Sequence, residues 1–176
     1  VHITSADVKA DRLEQKSVSV SAHSGKTELG TVTAETVDLS SSSGSIAANI
    51  ISAGVLRCGA SSGPVDFGAV SAENLDCDTS SGSVRIGDVT AERINIGTRS
   101  GNVSLVLIKA PLADISSVSG KITLTAPKDG ADISYTSGSG KLHTDLAYER
   151  KGDLYVFGSG KSKLTVETSS GNLEIQ

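Results

Sequence analysis

The chain has 176 residues, only five aromatic rings, no Trp, no Met and a formal net charge of −4. The length fits one domain. The negative balance, without a basic stripe, excludes nucleic acid as the expected partner. No apolar run approaches the ~20 residues of a membrane helix, so no membrane insertion is expected within this chain.

A Ser-Gly pair stands at 24–25, 43–44, 62–63, 81–82, 100–101 and 119–120, returning every 19 residues. A fixed period near 20 marks a solenoid. With each glycine as position zero, one full repeat carries apolar residues at the second and fourth positions (Val84, Ile86), the seventh and ninth (Val89, Ala91) and the twelfth and fourteenth (Ile94, Ile96). Apolar residues two apart share one face of an extended strand. Each repeat therefore predicts three short strands of about five residues, separated by corners. A 19-residue coil cannot bury these side chains alone, so coils stack with like positions in columns about 4.8 Å apart. The expected fold is all-β, a right-handed parallel β-solenoid (β-helix), the hand following that of parallel crossovers.

In chain order, residues 1–24 read as a degenerate N-terminal coil of this single 1–176 domain. Counting from Ala6, Val8, Ala10, Leu13, Val18 and Val20 hold the second, fourth, seventh, twelfth and fourteenth positions, after a strand fragment around Val1 and Ile3. The charged run Lys9, Asp11, Arg12, Glu14 and Lys16 suits an open end, where charge discourages edge-to-edge association. A start at Val1, without Met or a signal peptide, reads as a processed form or an excised domain.

Residues 25–126 form the regular coils. At the corner, glycine is expected for positive φ, and Ser24, Ser43, Ser62, Ser81, Ser100 and Ser119 are expected to stack as a hydroxyl ladder bonding nearby backbone. The seventh-position column includes Ile108, and the ninth (Ala34, Ala53, Ala72, Ala91, Ala110) marks a narrow part of the section. Outward, the thirteenth position alternates in charge, Asp38, Arg57, Asp76, Asn95, Asp114, as a solvated face would. A carbohydrate-active site would need clustered acids with aromatics for sugar stacking, and the body's one ring, Phe67, faces inward. Cys58 and Cys77 share the fourteenth position of adjacent coils. They read as two buried thiols; the alternatives are a disulfide or a half-built metal site, for which His2, His23 and His143 fall at unrelated positions. No cofactor or metal is expected.

Residues 127–176 are irregular coils and a cap. Leu142–Tyr148 and Asp153–Phe157 alternate as two runs of a hairpin, with Arg150, Lys151 and Gly152 as its turn, and the chain closes on a further Ser-Ser-Gly corner flanked by Leu164, Val166, Leu173 and Ile175. Four of the five rings fall between Tyr135 and Phe157. They either seal the solenoid or form a recognition surface of Tyr135, Tyr148, Arg150, Lys151 and Tyr155, since Tyr and Arg give much contact for little lost entropy.

The SSGxVxI unit, the AExLxI second half and the ending TVETSSGNLEI resemble a bacterial family of adhesin-type β-strand-repeat proteins, a domain of unknown function related to head-GIN-type adhesin domains. The resemblance covers essentially the whole chain. It implies a β-solenoid, often on envelope-associated proteins, and therefore an extracytoplasmic or envelope location. It carries no catalytic residues. The expected function is a non-enzymatic interaction module presenting a rigid surface to a protein or glycan. The alternatives are a bactofilin-like scaffold self-associating end to end and a polysaccharide-active β-helix enzyme.

Overall fold

A computed structural model describes His2–Ile3 at the level of the backbone and residues 7–176 in full. Val1 and Ala6, used above to anchor the first coil, lie outside the described residues. The described chain is all strand and turn. The strands are β1 His2–Ile3, β2 Val8–Glu14, β3 Ser17–Ala22, β4 Thr27–Ser41, β5 Ile46–Ala60, β6 Val65–Thr79, β7 Val84–Thr98, β8 Val103–Lys109, β9 Leu112–Ser117, β10 Ile122–Thr125, β11 Gly130–Ser137, β12 Leu142–Thr144, β13 Glu149–Lys151, β14 Leu154–Gly158, β15 Ser162–Thr168 and β16 Leu173–Ile175.

From β4 to β7 every strand pairs in parallel with the next at an offset of 19 residues, Val65 opposite Val84 and Ile51 opposite Val70. Three short strands per coil were expected; instead each of these four coils is one 15-residue strand, while the coils on either side are split into shorter ones. The long strand bends rather than breaks. Between β4 and β5 the paired register runs through 27–29, 31–34 and 36–41, leaving Gly30 and Glu35 at the bends. The three walls are thus those read from the apolar pairs, and the strands run on around the corners.

The columns hold with two corrections. Ile46, Val65, Val84 and Val103, then Leu56, Leu75 and Ile94, are fully enclosed, and the degenerate first coil joins in register, Val8 against Thr27 and Val20 against Leu39. Ile108, however, is 54% exposed: β8 departs from the spacing of β7 around the bend, and Leu107 takes the inward place opposite Val89. Ala34, Ala53 and Ala72 are only partly buried, so the ninth column lines the rim of the core in those coils, whereas Ala91 and Ala110 are enclosed.

Corner chemistry also differs from expectation. The corner glycines do not have positive φ; among the described residues that belongs to Gly130, Gly152, Gly158 and Gly160. Glycine is required at the corner because successive corners nearly touch. A Cβ on Gly44, Gly63, Gly82, Gly101 or Gly120 would run into the carbonyl oxygen of the corner glycine one coil earlier. The Ser before each glycine is exposed, as at Ser43, Ser62, Ser81 and Ser100, though Ser119 Oγ–H donates to Arg99 O (3.3 Å) and Ser170 Oγ–H to Val118 O (3.4 Å), so the expected bonding to backbone is met at those two corners. The buried bonding hydroxyl lies two residues earlier, in a column of Thr79, Thr98, Ser117 and Thr168. Gly101 N–H donates to Thr98 Oγ1 (2.9 Å) and Gly120 N–H to Ser117 Oγ (2.9 Å), satisfying a donor at the turn much as a helix N-cap does.

The largest departure is in the order of the coils. The final segment of the chain is not the final layer. β15 lies between β9 and β11, parallel to both, and β16 lies between β10 and β12. The glycine stack records the same order, since a Cβ on Gly171 would meet Gly120 and one on Gly140 would meet Gly171.

Candidate functional site

Where the period ends, β11 carries an antiparallel hairpin. β14 pairs with β11 on one side and with β13 on the other. Gly152 (φ 65°) makes the hairpin turn, an αL position that suits glycine. The expected first arm, Leu142–Tyr148, is corrected: only Leu142–Thr144 is strand, and it belongs to the solenoid wall beside β16, while the hairpin's arm is Glu149–Lys151.

Antiparallel register decides which side chains meet. Tyr155 stands opposite Ile133 and Phe157 opposite Ala131, so both rings face the core side of the end layer. Arg150 stands opposite Tyr155 on the other flank, and its guanidinium lies 5.3 Å from the centre of that ring. Arg150 Nε–H also donates to Gly152 O (2.9 Å), which fixes the head group across the turn. Tyr148, reaching back from the 145–148 connection, places its ring 5.5 Å from Tyr155 and 5.6 Å from Phe157. Tilted pairs at such distances add about 0.5–1.5 kcal/mol each beyond the area they bury.

Three of the five expected recognition residues are therefore brought together: Tyr148, Arg150 and Tyr155. Lys151 lies on the opposite face of its strand, paired with Glu149 at 3.2 Å. Tyr135 is corrected. It is 8% exposed, and its hydroxyl donates to Gly171 O (3.1 Å), so it fills the core and ties the end layer to the inserted coil. Phe157, buried as the floor of the cluster, takes the sealing role that was the other expectation for these rings, and the residue not foreseen is Leu146, 42% exposed beside Tyr148, which is 46% exposed. A shallow hollow next to them is lined by Ala126, Pro127, Lys128, Leu146, Ala147 and Phe157. The ring-rich window was a signal for Phe157; an isolated Leu in a connection gives none.

The regular body offers columns. Arg57 pairs with Asp38 (3.6 Å), Arg85 with Asp66 (4.0 Å) and Glu92 with Lys109 (3.7 Å), all well exposed, which makes them weak contributors to stability. Among the described residues, no group of three or more His, Cys, Asp and Glu is placed to hold a metal ion. Cys58 and Cys77 are stacked, buried and unbridged. The Cys58 thiol is pushed well above its ordinary range, first by its hydrogen bond with Cys77 and then by burial.

A stack of coils with roughly 19-residue spacing, closed at one end by an aromatic hairpin, defines a parallel β-solenoid repeat domain. The chain belongs to the Toastrack DUF4097 family, whose model matches residues 1–176, so the expectation of a β-repeat domain of unknown function holds at that level. No curated protein and no solved structure matches the chain.

Proposed function

We propose that this domain is a non-enzymatic, adhesin-like interaction module that uses its rigid solenoid to present the hairpin end to a protein or glycan, outside the cytoplasm or at the cell envelope of a bacterium. One observation carries the reading: Tyr148 and Leu146 stand about half exposed at that end, on a floor of Tyr155 and Phe157 with Arg150 alongside. Large apolar side chains left in water beside a guanidinium are the features that concentrate binding energy. The body supports the reading by contrast: where its acids share a hollow, as Asp11, Glu28 and Asp66 do, Lys9 and Lys26 line it with them and no aromatic ring does. No helix among the described residues is long and apolar enough to cross a membrane. The location rests on the resemblance of the repeat unit to adhesin-type domains.

The test is a binding survey, of bacterial surface glycans and envelope proteins, with wild type, Tyr148→Ala and the double variant Arg57→Ala/Asp76→Ala, each checked for unchanged unfolding. Binding lost by about tenfold or more in Tyr148→Ala alone is the expected result. Binding lost only in the double variant would move the site to the body.

A further inference from the structure

The inserted coil makes residues 162–176 unlike any other layer, since both their edges are occupied by segments that precede them in the chain. On one edge Leu164 and Val166 pair with Ala113 and Ile115; on the other they pair with Ile133 and Tyr135. Leu173 lies likewise between Ile122 and Leu142. The slot is defined wholly by residues 112–144, and nothing in it depends on which copy of the chain supplies its occupant. The link into the segment is a hinge. Gly158 (φ 60°) and Gly160 (φ 65°) turn the chain from β14 into β15. The hinge is held locally by Gly160 N–H donating to Phe157 O (3.4 Å), by the Lys161–Asp129 pair (3.5 Å) and by Ser159 Oγ–H donating to Asp129 O.

We infer that residues 162–176 are an exchangeable coil, through which two copies of this chain join at their hairpin ends by each filling the other's slot. The occupant follows from register: it must present Leu164, Val166, Leu173 and Ile175 inward and a glycine at the corner against Gly120, which a second copy supplies without change. In the exchanged pair every ladder bond of the closed monomer is remade, so the two forms differ in the hinge and in whether the segment is tethered. A short tether holds its own segment at an effective concentration in the millimolar range, which keeps the dilute protein closed and lets a second copy compete as concentration rises. Refolding favours exchange, because 131–144 has no parallel neighbour until a 162–176 segment arrives. Hinge strain favours it too. In Gly160→Ala the added Cβ presses on Asp132 Oδ1 and alanine is disfavoured at this φ, which should shift closed against open by about tenfold per hinge.

Asp114 and Thr165 are outward neighbours on β9 and β15. Their Cα atoms should lie about 4.8 Å apart, within disulfide range. Chains carrying Asp114→Cys alone and Thr165→Cys alone are mixed, unfolded, refolded together from about 10 μM to about 1 mM, a range that climbs to the tether's effective concentration, and then oxidised. The expected result is a disulfide-linked heterodimer whose yield rises with concentration, and that appears at lower concentration when both chains also carry Gly160→Ala. Monomer at every concentration overturns the inference, provided the doubly substituted chain links within itself and so shows the layer order to be right. A dimer that forms without joining the two introduced thiols overturns it equally, because that dimer uses another surface. Should the hinge variant fail to fold, the mixed chains with Gly160 intact still separate these outcomes.

Discussion

Replacing Gly82 by alanine separates two reasons for a corner glycine. If positive φ were the reason, the cost would be the ~1–2 kcal/mol of placing an L-residue in the left-handed region. Gly82 is not in that region, and backbone freedom alone would make alanine slightly stabilising, by about 0.4–1 kcal/mol. The structure gives the opposite sign. A Cβ on Gly82 would overlap the Gly63 carbonyl oxygen by more than an ångström, and this atom is backbone in a stacked wall, unable to swing aside. The coils must part locally. The bonds nearest the strain are Ser81 N–H to Ser61 O (2.9 Å) and Val65 N–H to Ser83 O (2.9 Å). Leaving both weakened or unmade in a partly dry corner costs about 1–3 kcal/mol each, so the expected loss is about 2–6 kcal/mol. The control is Gly152→Ala, where φ is +65° and a Cβ meets nothing within 4 Å, so only the ~1–2 kcal/mol of conformation is at stake. Urea unfolding of the three proteins, followed by circular dichroism, measures the difference. A Gly82→Ala variant no less stable than Gly152→Ala would refute the close-approach reasoning.

Ile86→Asp should lower stability by more than about 3 kcal/mol, since it places an unpaired carboxylate in a fully enclosed column, whereas Arg85→Asp, on the exposed face, should change it by under about 1 kcal/mol; the same unfolding assay compares them. Thr98→Val should cost about 1–3 kcal/mol, because the Gly101 N–H loses its acceptor inside the corner, and Thr98→Ser should restore most of it. Both cysteines should resist thiol reagents in the native protein and react fully after denaturation in the absence of reductant. Because the folded Cys58 thiol holds its proton more tightly than the unfolded one, its contribution to stability is complete below about pH 8.5, the unfolded value, and falls as pH rises toward the folded one. Cys58→Ala should therefore flatten the alkaline decline of stability measured between pH 8 and 10.

What was legible in the sequence was whatever repetition made redundant. Val65, Val84 and Val103 occupy one column because stacking forces equivalent residues into equivalent places, and six copies average away the exceptions. Side chains inside a single corner are not averaged in that way. Thr98 and Ser100 are both hydroxyl residues near a glycine, and only the backbone path shows that the first reaches the Gly101 N–H while the second faces water. Ile108 was misplaced because the spacing rule assumes a constant bend, and β8 adjusts its own by one residue. At the hairpin end, the concentration of rings was visible, but whether a Tyr faces the core depends on strand pairing. Tyr135 and Tyr155 sit in similar polar-apolar alternation, and β11 buries the first because it is covered by β15 on one side and β14 on the other.

The order of the layers was hidden for a deeper reason. Each coil presents almost the same columns to the next, so residues 131–144 could meet the edge of coil 112–125 with the pattern that 162–176 uses: Ile133 in place of Leu164 over Ala113, and Leu142 in place of Leu173 over Ile122. Periodicity fixes the register within a stack and leaves the sequence of layers open. What selects the observed order is the hairpin. β14 pairs antiparallel on the free edge of β11, and Tyr148, Tyr155 and Phe157 can close the core only if β11 is the outermost solenoid strand of its wall. Were 131–144 stacked directly on 112–125, the 162–176 coil would have to take the edge that the hairpin now covers, and the three rings would lose the surface they seal. The same irregular segment therefore sets the layer order, closes the core and carries the exposed Tyr148 and Leu146, so a substitution there must be assayed for all three roles before any of them is assigned to it.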